Sequence, residues 1–218
     1  MKVGTDGVLL GAWTETENAQ NILEIGTSTG LITLMLAQKS YAKITAIEID
    51  KNSFLQSEIN VSTSSWKNRI SVKHISLQKF ANESKENFDL IVCNPPYFEN
   101  SLKSPIASKN IAKHNDNLTN SELFAGIEKL LTKNGRFCII FPFLQMEKFI
   151  SDISEFGFYC NKKMYVKPRK ELNIKRVLME FNRFSGETKE SFLAIENNKR
   201  HDYTIDYKKL TKEYYLNF

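Results

Sequence analysis

The sequence predicts an α/β fold of the Rossmann-like kind: a mostly parallel sheet, seven strands in all, with helices on both faces. Three observations predict it. As far as Phe141, apolar strand-like runs alternate with stretches of helical periodicity. The first of these runs ends in a glycine turn, LEIGTSTG, that leads directly into a helical pattern. Beyond Phe141 the alternation stops, and two strand-like runs with a short connection follow, the usual mark of antiparallel pairing.

The elements follow in order. NILEIG (21–26) reads as a buried strand and LITLMLAQK (31–39) as the helix behind it. KITAIEI (43–49) is a second strand, with a helix over 51–62. RISVKHI (69–75) and FDLIVCN (88–94) are the third and fourth strands. Leu118 to Leu131 has helical spacing at Leu123, Ile127, Leu130 and Leu131, with Gly135 as its stop before the fifth strand RFCIIF (136–141). Strands separated by helices imply right-handed crossovers. A helix over 143–156 precedes FYCNKKMYV (158–166) and IKRVLMEF (174–181), so the sheet is expected to finish in an antiparallel edge. In the tail, Tyr207, Leu210 and Tyr214 share a helical face, which predicts a docked C-terminal helix at about 203–216. With no repeat or linker in view, residues 1–218 read as one domain.

Composition narrows the function classes. The 218 residues suffice for one well-buried core, and 41% hydrophobic with 25% charged residues is an ordinary globular balance. Every apolar run is far below the roughly 20 residues that span a bilayer. The start, MKVGTDGVLL, lacks the unbroken apolar core of a secretory signal, so a cytoplasmic location without membrane association is expected. Cys93, Cys138 and Cys160 are odd in number and scattered, and His74, His114 and His201 are far apart; neither a disulfide framework nor a metal site is expected. A net charge of +5 permits a nucleic-acid partner without requiring one.

Strand one ends at Glu24, Gly26, Ser28 and Gly30, and strand two ends at Glu48, about twenty residues on. In open α/β sheets ligands lie beyond the carboxyl ends of the strands, where glycines let the backbone approach. An acid at the tip of strand two accepts hydrogen bonds from a ribose diol. No Gly-Lys-Ser/Thr follows the turn, which excludes a P-loop, and the middle position of GTSTG is Ser28, which breaks the dinucleotide pattern. Glu24 would repel a pyrophosphate but suits an amino group. A ligand with both an amino acid and a nucleoside, S-adenosylmethionine, fits this set. By itself the turn is equally compatible with an ordinary strand-to-helix connection.

The fourth strand ends in NPPYF (94–98). Asn94 offers a side-chain carbonyl, Pro95 a backbone carbonyl without an N–H, and Pro96 holds Pro95 extended. Two rigid acceptors suit an amino group with two hydrogens to give. Held this way, the nitrogen lone pair of an aryl amine or amide turns out of conjugation toward an electrophilic methyl, and positioning does most of the catalysis. Tyr97 offers a face on which a base stacks, worth about 1–3 kcal/mol. Alone, NPPYF also reads as a rigid loop with Tyr97 and Phe98 in the core; together with the first turn and Glu48 the ligand reading is the specific one.

With these residues in hand, the chain resembles the class I S-adenosylmethionine-dependent methyltransferases of the (D/N)PPY type. More narrowly, it resembles the bacterial tRNA1(Val) (adenine-37) N6-methyltransferase family. The resemblance runs through KVGTDGVLLGAW (2–13), ILEIGTSTGLITLMLAQ (22–38), AIEID (46–50), NPPYF (94–98), AKHNDNLTNSEL (112–123) and KRVLMEF (175–181). It implies seven strands with an antiparallel last one. It implies that Glu24, Gly26, Ser28 and Gly30 meet the methionine end of the cofactor, Glu48 the ribose and Leu77 the cofactor adenine, with Thr5 and Asp6 in a flap. Asn94, Pro95 and Tyr97 would hold the target adenine, with Pro96, Phe98, Lys113 and His114 also against the substrate.

The sequence departs from the family in three places. The family usually has Asp at position 24 and Gly at position 28, and many methyltransferases carry an acid at position 76, which is Ser76 here. The resemblance also implies a segment ahead of the residues matching MKVGTDGV. The expected partner is tRNA at its anticodon loop, bound by a monomer, with phosphates on a basic cluster: Lys162, Lys163, Lys167, Arg169, Lys170, Lys175 and Arg176. A solvated lysine face accounts for that cluster equally well. Two alternatives use the same acceptors: N5 methylation of a protein glutamine and N2 methylation of a ribosomal-RNA guanine.

Overall fold

The computed structural model describes residues 4–95 and 118–216. The first half runs α1 (Thr5–Trp13), β1 (Asn21–Ile25), α2 (Leu31–Gln38), β2 (Lys43–Glu48), α3 (Lys51–Ser62), β3 (Ile70–His74), α4 (Leu77–Glu83) and β4 (Phe88–Cys93). The second half runs α5 (Asn120–Leu130), β5 (Leu131–Pro142), α6 (Met146–Ser154), β6 (Tyr159–Arg169), β7 (Arg176–Asn182), β8 (Lys189–Glu196) and α7 (Ile205–Thr211).

Among the described residues the strands form one sheet of eight, in the order β3-β2-β1-β4-β5-β7-β6-β8. β3, β2, β1, β4 and β5 run parallel to one another. The order reverses between β1 and β4, which opens a crevice at the carboxyl ends of those strands. The central strands are apolar on both sides because helices cover both faces. Along β5, Phe137, Ile139 and Phe141 face the core shared with α4, α5 and α6, while Cys138 and Ile140 face the core shared with α1, α2 and α7. All three cysteines are buried and free.

The α/β class and the seven expected strands are present, with two corrections to the sheet. β7 is antiparallel to both its neighbours, but it lies inside the sheet, between β5 and β6. The edge is β8, an eighth strand parallel to β6. KESFLAIE carries no clear strand pattern because most of its positions are polar or exposed, as an edge strand with one covered face allows.

Local signals explain the other boundaries. Asp50 caps α3 by accepting from the Ser53 N–H at 2.8 Å, and Ser76 caps α4 through the Lys79 N–H. Thr119 and Glu122 form a reciprocal capping box at α5. Gly135, expected to stop that helix, lies inside β5 instead, because pairing with β4 begins at Leu131, directly after the last helical residue. The tail forms α7 and one 3-10 turn (Lys212–Tyr214), with Tyr207 and Leu210 against the core beneath α1.

Candidate active site

The carboxyl ends of β1, β2 and β4 and the first turns of α1 and α4 enclose a cavity of about 970 Å³. Of the sequence-predicted residues, Thr5, Asp6, Glu24, Gly26, Ser28, Glu48, Leu77, Asn94 and Pro95 line it. Gly30 does not. It is the left-handed residue at the start of α2 (φ 83°), and a Cβ there would sit 3.6 Å from the Ser57 Cβ of α3. That contact is an ordinary one, so what calls for glycine is the left-handed backbone that leads into α2. Pro96, Tyr97, Phe98, Lys113 and His114 lie outside the described residues.

The first turn is tied to β2, since the N–H groups of Gly26 and Thr27 donate to the Ile47 carbonyl at 2.9 and 3.1 Å. Gly26 has φ 73° and nothing within 4 Å of the place a Cβ would take, so its backbone is open to the cavity. Ser28 has φ 53°, a conformation that costs a non-glycine residue about 1–2 kcal/mol. Its N–H donates to Glu48 Oε2 at 2.8 Å. The N–H groups of Ile49 and Asp50 donate to Glu48 Oε1 at 2.8 and 2.9 Å. Three backbone donors thus fix the carboxylate at the tip of β2, and Oε2, with one bond, keeps acceptor capacity toward the cavity.

Glu24 is different. It is 1% exposed and faces the turn into α2, where the hydroxyls of Thr27 (2.7 Å), in the turn, and Thr33, on α2, both donate to Oε2. Burial pushes its carboxyl up to about 7, against the opposing pull of the two threonines. Oε1 takes neither hydroxyl.

α1 brings a third wall. A Cβ at Gly7 would sit 3.2 Å from Leu31 Cδ2 and 3.9 Å from Asn94 Nδ2, so this helix comes directly against the tip of β4. Asp6 is held from outside by Arg176, whose Nε donates to its Oδ2 at 2.9 Å. Sequence reasoning did not find α1 as a helix or single out Ile49, Gln78 and Glu122, which also line the cavity. Ile49 carried a usable signal: an apolar residue directly after the acid at a strand tip, here 50% exposed.

The basic cluster is divided by the fold. Lys162 pairs with Glu15, Lys163 with Glu190, Arg169 with Glu171 and Glu196, and Arg176 with Asp6. Lys167, Lys170 and Lys175 have no ion pair among the described residues. They lie at the end of β6 and on the connection to β7, the end of the sheet where the cavity opens.

A glycine turn and a clamped acid on one side of the crevice, with a side-chain amide and an imide carbonyl on the other, define a class I methyltransferase. The model of the methyltransferase small domain family matches residues 3–159. A tRNA1(Val) (adenine(37)-N6)-methyltransferase of Trichodesmium erythraeum is 41% identical over 100% of this chain and 92% of its own length. One of Bacteroides thetaiotaomicron is 43% identical over 99% of this chain and 91% of its own. The chain belongs to the tRNA1(Val) (adenine(37)-N6)-methyltransferase family. Among solved structures, a predicted O-methyltransferase of Agrobacterium tumefaciens superposes with a TM-score of 0.70 over 95% of this chain and 96% of its own, at 15% identity. A ribosomal protein L11 methylase of Lactobacillus delbrueckii subsp. bulgaricus does so at 0.57 over 82% and 77%, at 16% identity. At such identity these two speak for the fold alone.

Proposed function

We propose that the protein transfers the methyl group of S-adenosylmethionine to N6 of adenosine 37 in tRNA1(Val). The observation that carries this reading is the meeting of Asn94 and Pro95 with Gly26 and Glu48 on the walls of one cavity.

The residues present fit the cofactor. A volume of about 970 Å³ holds a nucleoside with an amino-acid arm. Gly26 admits the arm without a side chain in the way, and Glu24 Oε1 is the acceptor for its amino group. Glu48 receives the ribose hydroxyls, and Ile49 and Leu77 offer apolar contact to the base. When bound, the cofactor supplies an electrophilic methyl group.

The target amine is held by the Asn94 side-chain oxygen and the Pro95 carbonyl, which take its two N–H bonds. That grip turns the nitrogen lone pair toward the methyl and converts an encounter into an oriented in-line attack, the largest contribution available where no general base is needed. The amine proton is lost to water after transfer. Tyr97 stacks on the flipped base. A cytoplasmic, monomeric enzyme goes with this reading; no helix among the described residues is long and apolar enough to cross a membrane.

The test is incubation with isotopically labelled S-adenosylmethionine and RNA from a strain lacking the gene, followed by nucleoside mass spectrometry. Label is expected in N6-methyladenosine of tRNA1(Val). Label in N2-methylguanosine, or in protein glutamine on a parallel gel, overturns the assignment.

A further inference from the structure

β6 and β8 present an unusual surface at the edge of the sheet. Their parallel register pairs Lys163 with Glu190, Tyr165 with Phe192, Lys167 with Ala194 and Arg169 with Glu196, so each pair lies on one face. Tyr165 is buried and immobilised: its hydroxyl donates to Glu190 Oε1 at 3.0 Å, and its ring meets Phe143 edge-on at 5.9 Å. Phe192 lies flat on Tyr165, with centroids 5.0 Å apart and planes 27° from parallel. Phe192 is nevertheless 67% exposed. One face of the ring is supported by a fixed aromatic and the other is bare.

The charge around it is selective. Glu190 is held by Lys163 and Tyr165, and Glu171 and Glu196 by Arg169. Glu147 of α6 is the acid nearby without an ion pair among the described residues. The side chain of Lys167, one pair further along the same face, makes no ion pair among the described residues, and neither do those of Lys170 and Lys175 on the adjoining connection. The contact between β7 and the cavity wall, Arg176 with Asp6, lies on the other face of the sheet, so the patch and the cavity meet only around the end of the strands, where Lys170 and Lys175 sit. Phe192 lies on β8, the fourth strand beyond β4, about 19 Å from that wall of the cavity in sheet spacing.

We infer that the outer face of Phe192, with Lys167, Lys170 and Lys175, is a docking surface for a single-stranded stretch of the RNA substrate a few nucleotides from the target. One base stacks on the ring, and the phosphates lie on the lysines. The inference rests on the proposed function and deepens it. A supported, bare aromatic beside unpaired cations is the arrangement that captures single-stranded nucleic acid without reading its sequence, and the unpaired lysines at the cavity end of the sheet favour a polyanion over a second copy of this chain.

The test is fluorescence anisotropy with a labelled tRNA1(Val) transcript across a salt series, alongside methylation kinetics. Phe192→Ala is expected to weaken binding about tenfold and Phe192→Tyr to leave it nearly unchanged, with kcat and cofactor affinity kept and the KM for tRNA raised. The triple variant Lys167→Ala/Lys170→Ala/Lys175→Ala is expected to lower the slope of log affinity against log salt by about 2–3. Phe192 is exposed, so its variants fold; matching thermal midpoints verify this. Wild-type methylation of adenosine with RNA binding unmoved by either variant overturns the surface and leaves the reaction standing. Binding that depends on these residues, with no adenosine methylated, supports the surface and overturns the reaction. A Phe192→Ala variant that alters sedimentation while RNA binding stays unchanged assigns the patch to a second copy and overturns the RNA inference.

Discussion

Arg176 and Asp6 meet at 2.9 Å, and through that contact the first residue of β7 holds the first turn of α1 against the cavity. The two residues are 170 positions apart in the chain, and the ion pair is partly exposed. Its direct contribution to stability is therefore small, below about 1 kcal/mol. Its effect on the cavity is geometric, because Thr5, Asp6 and Gly7 all line it.

Arg176→Gln is expected to weaken S-adenosylmethionine binding several-fold in calorimetry while lowering unfolding stability by less than about 1 kcal/mol. Asp6→Asn should do the same, and the double variant should be no worse than the worse single one. Fully additive losses would show that the two residues act separately.

Glu24 predicts a pH dependence. Its carboxyl titrates at about 7 in the folded protein, above its ordinary value of 4.5, so the folded state binds the proton more tightly than the unfolded state. The stability this proton confers is complete below pH 4.5 and is lost as pH rises through about 7. Glu24→Gln removes the loss: its thermal midpoint relative to wild type should rise across that window and level off above it. A gap that is constant with pH would contradict burial as the cause. Cofactor affinity of the wild type should move oppositely, strengthening toward pH 8, since the ionised carboxylate is the form that pairs with an ammonium.

Gly126 on α5 sets the position of Leu77. A Cβ there would fall 2.7 Å from Leu77 Cδ2 and 2.8 Å from its Cγ. Leu77 is buried and lines the cavity, so Gly126→Ala has to push it inward. Urea denaturation should show a loss of about 1–3 kcal/mol. The KM for the cofactor should rise with kcat at saturation nearly unchanged; an unaltered KM would mean that Leu77 yields in another direction.

Asn94→Ala removes one of the two amine acceptors and should abolish transfer while leaving cofactor affinity within a few-fold. Loss of cofactor binding in calorimetry would place Asn94 on the wrong ligand. Tyr97→Phe should retain most activity and Tyr97→Ala little, because stacking requires the ring and not the hydroxyl. Equal damage from both would remove stacking from the mechanism.

Much of this was legible in residue order. Apolar runs of five to seven residues before glycine or asparagine specify buried parallel strands, since only a strand covered on both faces is apolar on consecutive positions. Once those strands are set, the tips of β1, β2 and β4 must converge, which is why Glu48, Gly26 and Asn94 were readable as one site. The edge strand β8 was not legible, because a strand covered on one face dilutes its pattern with charge.

What the tertiary structure alone decided concerns direction and pairing. Glu24 and Glu48 are both acids near strand tips, yet one is turned into α2 and half-neutralised by burial, while the other is clamped at the cavity by three backbone donors. Gly26 opens to the cavity, while Gly30, off the cavity, turns the chain into α2. Seven consecutive-looking cations separate into four bound in ion pairs and three without one among the described residues. Each of these outcomes depends on which distant side chain arrives within a few ångströms. Strand propensity and local spacing are properties of neighbouring residues in the chain, whereas burial and charge pairing belong to neighbours in space.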